Sequence, residues 1–149
     1  MFVGERNQFI KNTIFSNGHL AINLENRVFG LVTPNDSDDS DLGTNESQNF
    51  PEIVVAVSNG TQTSVAGYLV SKPSGAYTLE LFATPVCSPS GHGEAMYPLQ
   101  QTVVNTNTLG NAQINIVLPY AIPKGWSMSM TATDSLGNTS EMSACSVVR

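Results

Sequence analysis

From Pro51 to the C-terminus, short apolar runs alternate with turn residues. Within several runs every second residue is apolar, as in Ile114-Ile116-Leu118, and Gly, Asn and Pro separate the runs. Period-two alternation predicts half-buried strands, and regularly spaced strands without helical patterns between them are typical of a sandwich. We therefore expect an all-β fold, an immunoglobulin-like antiparallel β-sandwich of about seven strands, over residues 51–149. The runs are EIVVAVS, TSVAGYLVS, AYTLELFAT, LQQTVVNT, AQINIVLP, SMSMTATD and CSVV.

Residues 1–32 have a different pattern. Between Asn7 and Asn23, asparagines recur at five- to six-residue steps, with short apolar pieces between them. Asn tolerates left-handed backbone and hydrogen-bonds its own turn, so this spacing predicts short strands joined by corners, like one rung of a parallel β-helix. The alternative is a surface hairpin or N-terminal arm. A single rung cannot bury its own apolar face, so we expect the segment to pack on a neighbour. An exposed rung edge would allow a dimer through residues 7–24.

Residues 33–50 form an acidic Asp/Asn connector between these two parts. Calcium prefers six to eight oxygen ligands from carboxylates, amides and carbonyls, and this stretch is rich in them. The spacing is not that of an EF-hand. The alternative is a solvated linker whose Asp and Asn side chains cap their own turns. The candidate Ca²⁺ ligands are Asp36, Asp39, Asp41 and Asn45.

Composition narrows the class of protein. Only 12% of the 149 residues are charged, and the net charge is −6. Nucleic-acid binders cluster Lys and Arg, which here are few and scattered, so we expect no nucleic-acid partner. No apolar run approaches the length of a membrane span, so none is expected. The first residues lack the apolar region of a signal peptide, which suggests a piece of a longer protein or export by another route.

Few side chains suggest catalysis or ligand binding. His92 and Glu94 share a Gly-rich loop, but with only two histidines in the chain no Ser/His/Asp set follows from spacing, so we expect no enzyme activity. Tyr97 and Tyr120 lie at loop edges and are candidate ligand contacts, because aromatic rings stack on sugars. Trp126 falls on the same every-second-residue pattern as Met128 and Met130, which favours packing in the core.

The two cysteines, Cys87 and Cys145, lie far apart and show no zinc-type spacing. They are either two buried thiols or one disulfide. The low charge and the many Asn and Thr residues favour a disulfide, as in extracellular proteins.

Four segments, in order, resemble a recurring C-terminal unit of secreted bacterial right-handed parallel β-helix repeat proteins. In that unit a last β-helix rung is followed by an Asp/Asn-rich connector and an immunoglobulin-like sandwich. The resemblance implies that Cys87 and Cys145 form a disulfide and that the protein is extracellular or at a cell surface. The family has no uniform activity, and the fold implies none. The segments are residues 12–18, 33–51, 85–94 and 131–141, the last together with Cys145.

These observations predict a non-catalytic extracellular or cell-surface module that acts as a structural spacer or adhesion element, with calcium as a candidate stabilising ion. Its partner would be a protein or a glycan at a cell surface. The alternative is an accessory, carbohydrate-binding domain of a polysaccharide-active β-helix enzyme.

Overall fold

The computed structural model describes residues 4–24, 31–40 and 42–149. Each of the seven predicted runs contains a strand, so the all-β prediction is confirmed. A 3₁₀ turn, Thr44–Ser47, lies within the connector. In the described part of the chain, no helix has the length and apolar character needed to cross a membrane. The strands are β1 (Glu52–Ser58), β2 (Thr63–Val70), β3 (Ala76–Thr84), β4 (Tyr97–Asn105), β5 (Asn111–Leu118), β6 (Ser127–Asp134) and β7 (Ser146–Val147).

The strands form two antiparallel sheets, in the orders β1-β2-β5 and β4-β3-β6-β7. Apolar side chains from both sheets share one core, which includes Leu69 and Ile114 from the first sheet and Leu79 and Met130 from the second. This arrangement is consistent with a β-sandwich, in which the two inner faces supply the core. Trp126 packs against this core, as its phase predicts.

The two sheets differ in how many faces they bury. Strand β5 alternates strictly between exposed and buried residues, so its sheet has one open face. Strands β3 and β6 are buried almost throughout, on both faces. Alternation in their sequences predicts one buried face, and the second is buried because residues 4–24, hereafter the arm, lie across it.

The arm supplies a second, smaller core on that outer face. Its Ile22 and Leu24 pack against Phe82, Ala95 and Met142. The described part of the arm contains no strand, and the β-helix-like rung stays a prediction. The arm's regular pairing is a single bridge in which Ile14 and Ala95 exchange backbone hydrogen bonds of 3.0 and 2.8 Å.

The loop between β3 and β4 is fastened to the end of the chain. Cys87 and Cys145 form a disulfide, with their Cα atoms 6.1 Å apart. The predicted pairing is therefore confirmed. Backbone hydrogen bonds run beside it, from Cys145 N to Gly91 O and from Gly93 N to Ser143 O, each 3.0 Å long. The disulfide closes a long loop, so it restrains much of the sandwich.

Candidate functional site: the joint between arm, connector and sandwich

Side chains, rather than a neighbouring strand, bind the backbone of the arm. Six of its N–H groups donate to side-chain oxygens elsewhere in the chain. These acceptors come from the connector, from β3, from the β3–β4 loop and from the segment after β6, so the arm is held at many separated points. The pairs are Arg6–Asn138 (2.7 Å), Asn7–Asn45 (2.9 Å), Phe9–Thr139 (3.0 Å), Lys11–Glu80 (3.0 Å), Ser16–Glu94 (3.1 Å) and Leu24–Glu141 (2.9 Å).

The backbone conformation of the arm explains this mode of binding. Arg6, Lys11 and Ser16 have φ values of 61°, 58° and 58°. A left-handed residue turns the chain, and three of them prevent the continuous extended backbone that strand pairing needs. The N–H groups therefore point in irregular directions, and flexible side-chain acceptors satisfy them where a strand could not.

Glu141 joins the arm to the beginning of the connector. Its Oε1 accepts from Leu24 N at 2.9 Å, and its Oε2 accepts from Thr33 N at 2.5 Å. The side chain is 1% exposed. Burial raises the pKa of this carboxyl, and the backbone hydrogen bonds from Leu24 and Thr33 oppose that rise. The same carboxylate thus binds Leu24, the last residue of the arm, and Thr33, the first residue of the connector.

Asn45 links all three parts of the molecule. Its Oδ1 accepts from Asn7 N at 2.9 Å and from Asn7 Nδ2 at 3.1 Å. Its Nδ2 donates to Asn7 O at 2.8 Å and to Thr139 O at 2.9 Å, and the side chain is fully buried. One amide therefore connects the connector, the arm and the loop after β6.

The turn that presents Asn45 is left-handed. Asn45, Glu46 and Ser47 have φ values of 50°, 53° and 49°, in a region that costs residues other than glycine about 1 kcal/mol each. Asn tolerates this region best, and its buried hydrogen bonds offset the cost. Lys72 forms an ion pair with Glu46, but both side chains are partly exposed, so the pair contributes little.

Asp39 binds the middle of the connector to the sandwich. Its Oδ1 accepts from Asn49 N at 2.9 Å, and its Oδ2 accepts from Gln48 Nε2 at 2.9 Å and from the Ser71 hydroxyl. Tyr77, on β3, adds its hydroxyl 2.8 Å from that of Ser71. Burial raises the pKa of Asp39, while the hydrogen bonds from Ser71 and Asn49 oppose the rise.

The three predicted calcium ligands that the structure describes, Asp36, Asp39 and Asn45, do not converge. Asp36 and Asp39 are adjacent, with Asp36 Oδ1 accepting from Asp39 N at 2.5 Å, whereas Asn45 faces the arm. Asp41 lies outside the described residues. Among the residues that are described, no three His, Cys, Asp or Glu side chains are grouped so that they could hold a metal ion. The oxygens of Asp39 and Asn45 serve the fold, and calcium binding by the connector stays a prediction.

The candidate aromatic contacts lie along the edge strand β4. Tyr97 is 46% exposed and Tyr120 is 42% exposed. Tyr97 stacks on Trp126, with ring centroids 5.4 Å apart and planes 22° apart. The Tyr120 hydroxyl donates to Leu99 O at 3.2 Å, at the β-bulge where β4 shifts register against β3. Both tyrosines therefore present ring surface to solvent, beside a bend in the sheet edge.

The residues weighed for catalysis have structural partners. His92 Nδ1 lies 2.9 Å from Met142 O, and the His92 ring packs edge-on against Phe50. Glu94 accepts from Ser16 in the arm. Their contacts thus hold the β3–β4 loop against its neighbours.

Two acceptors of the arm, Glu80 and Glu141, were missed by reasoning from sequence. A signal existed for Glu80, because a Glu in the run Leu79-Glu80-Leu81-Phe82 shares a strand face with Phe82. A large apolar residue on the presumed solvent face indicates that something covers it. Nothing local marks Glu141, whose donors lie more than 100 residues away.

The chain matches no protein-family model, and no curated protein matches it. Fold and site therefore define its class: an all-β protein whose two-sheet body carries an N-terminal arm fastened by buried side-chain acceptors.

Proposed function

We propose that this chain is a non-catalytic extracellular or cell-surface module that acts as a structural spacer or adhesion element. The observation that carries the proposal is the joint at Glu141, Asn45 and Asp39. Burying a polar group raises the free energy of the folded state unless the group is hydrogen-bonded. Here the hydrogen bonds of the buried groups fix arm, connector and sandwich to one another. A module that holds its ends in a set orientation needs such a joint.

We assign the body, more finely, to the immunoglobulin-like sandwiches and the arm to a terminal β-helix-like rung. Seven strands divided three and four support the first assignment, as do connections that cross between the sheets after β2, β4 and β5. The arm packs its apolar residues Ile22 and Leu24 on a sheet face, and a last rung likewise needs a neighbour on which to bury its apolar side. The disulfide supports an oxidising, extracellular location.

Hydrogen exchange tests the joint. If it fixes the parts as a unit, the N–H groups of Leu24, Thr33 and Asn49 exchange with the same free energy as core amides of β3. If these three amides exchange with a much lower opening free energy than the core amides of β3, the spacer role is contradicted. The non-catalytic part has its own test, because a reproducible hydrolase or lyase activity that a single side-chain change abolishes would overturn it.

A second candidate function is carbohydrate binding as an accessory domain. The exposed rings of Tyr97 and Tyr120 favour it, together with an open groove beside β4 that is lined by Gln100, Gln101 and Lys11. Aromatic faces and amide groups are the usual partners of sugar rings and hydroxyls.

A glycan array decides between the two functions. Saturable binding that is lost in Tyr97→Ala or Tyr120→Ala, and kept in Tyr68→Ala, would establish the second. Tyr68 is the matched control because it lies on the other sheet, where its hydroxyl donates to Glu52 at 2.6 Å.

A further inference from the structure

A small cavity, which the proposed function does not involve, lies between the arm and the outer face of the four-stranded sheet. Asn12, Ile14 and Ile22 line it from the arm, and Glu80 and Thr131 line it from the sheet. Its volume is about 10 Å³, which is the space that one water molecule requires.

The Thr131 hydroxyl is a polar group in the wall of this cavity. Within the described part of the chain, Thr131 Oγ1 is the buried side-chain oxygen that has no hydrogen-bond partner. The residue is 2% exposed. A hydroxyl left unpaired in the interior loses its hydrogen bonds to water without replacement, so native proteins rarely tolerate it.

Glu80, which pairs with Thr131 across β3 and β6, adds to the same wall an acceptor that can take a further hydrogen bond. Glu80 is 4% exposed, and its Oε1 accepts from Lys11 N and Gln101 Nε2 at 3.0 Å each. Its Oε2 has the longer contact with Lys11 N, at 3.2 Å. A carboxylate offers about four acceptor positions, so Glu80 can take a further donor.

We propose that the cavity is a binding site for a single water molecule that bridges Thr131 Oγ1 and Glu80. The water would accept from the hydroxyl and donate to the carboxylate, and so satisfy both groups. It would also complete the docking of the arm, because Glu80 already binds the backbone of Lys11. A bound water with two or three such partners is part of the structure rather than solvent.

A crystal structure of the wild-type chain that resolves ordered solvent tests the site directly. The expected result is one water within hydrogen-bonding distance of Thr131 Oγ1 and of Glu80. Absence of such a water, in a map that shows the surrounding side chains clearly, overturns the proposal.

Thermal melts of two valine variants give a second test that needs no crystals. Thr133, on the same strand and face, has a hydroxyl that is already paired, 2.9 Å from that of Thr139. Thr133→Val therefore loses a made hydrogen bond and should lower Tm by roughly 2–4 °C. If water pairs Thr131, then Thr131→Val lowers Tm to a similar extent. If the cavity is dry, Thr131→Val leaves Tm unchanged or raises it, and the proposal fails.

Discussion

At the scale of single residues, a few buried polar side chains decide how the parts of this protein meet. Asn45, Asp39 and Glu141 are each buried, and each binds groups from at least two separate segments. In a medium of low dielectric constant such hydrogen bonds are strong when complete and costly when broken. Single substitutions at these positions should therefore have large effects.

Asn45→Asp keeps the shape of the side chain but replaces its donor group. The new oxygen would face the carbonyls of Asn7 and Thr139, now 2.8 and 2.9 Å from Nδ2. We expect the free energy of unfolding to fall by about 3 kcal/mol, measured by urea denaturation. Asn17→Asp, at an exposed position of the arm, is the control and should change stability little. Equal effects of the two variants would contradict the role given to Asn45.

Asp39 should make stability depend on pH. Burial raises its pKa above the usual 3.8, so the folded state takes up a proton more readily than the unfolded state. The resulting stability is fully present below the unfolded pKa and is lost as pH rises through the folded pKa. Relative to Asp39→Asn, the wild type should therefore become more stable as pH falls from 7 towards 4. Asp38→Asn, at an exposed site, should follow the wild type, and a difference between wild type and Asp39→Asn that does not change with pH would refute this assignment.

At the scale of elements, the arm behaves as a third layer that lacks strand structure. It buries the outer faces of β3 and β6, and side-chain acceptors together with one bridge to the β3–β4 loop hold it in place. Removing one acceptor should therefore loosen the arm near that acceptor, whereas a strand would be held by a continuous ladder of backbone hydrogen bonds. The alternation of Leu20, Ile22 and Leu24 is real, but it reflects two buried residues on the sheet face and not a strand.

Glu141→Gln tests that attachment. The amide can accept with one oxygen, so one of the two N–H groups now bound, Leu24 or Thr33, loses its acceptor. We expect protection from hydrogen exchange at these two amides to fall about tenfold, which corresponds to roughly 1.4 kcal/mol. Glu94→Gln is the matched control, because that carboxylate is partly exposed and accepts from Ser16 N in the arm. Unchanged protection at Leu24 and Thr33 would show that Glu141 does not hold the arm.

The calcium prediction for the connector has a direct check. An ion that binds the folded state alone raises Tm with its concentration. The hypothesis thus requires a Tm that climbs with Ca²⁺ and falls on chelation. A melt that is unchanged at millimolar Ca²⁺ would remove it.

At the scale of the whole molecule, the disulfide and the shared core set the stability. Cys87 and Cys145 are 58 residues apart, and closing a loop of that length contributes roughly 4 kcal/mol on the chain-entropy model. The bond also anchors the β3–β4 loop, which supplies Ala95 and Glu94 to the arm.

Replacing both cysteines by alanine should lower the free energy of unfolding by roughly 4 kcal/mol, measured in urea. The midpoint of unfolding should then fall to that of reduced wild type. Thiol titration of the denatured, unreduced wild type should find no free thiol, and two titratable thiols would contradict the bond.

Local pattern was enough to predict the strands. The run around Ile114 alternates because one face meets the core, and such periodicity is legible without knowing the partner. The places of Tyr97 and Tyr120 at the surface could also be predicted, since both follow directly from their positions at strand ends. The acidic segment was interpreted as a connector from its composition and from the different patterns on either side of it.

The sequence by itself determined the all-β class and the seven strands, because these depend on neighbours within a few residues. Only the tertiary structure decided that the arm covers a sheet face, that Glu141 and Asn45 bind distant backbone, and that Asp39 binds the Ser71 side chain. The hydrogen bonds that hold the arm join residues up to 132 positions apart, as in Arg6 and Asn138. Such hydrogen bonds form only because folding brings distant groups close together, and no local sequence pattern indicates which groups will meet.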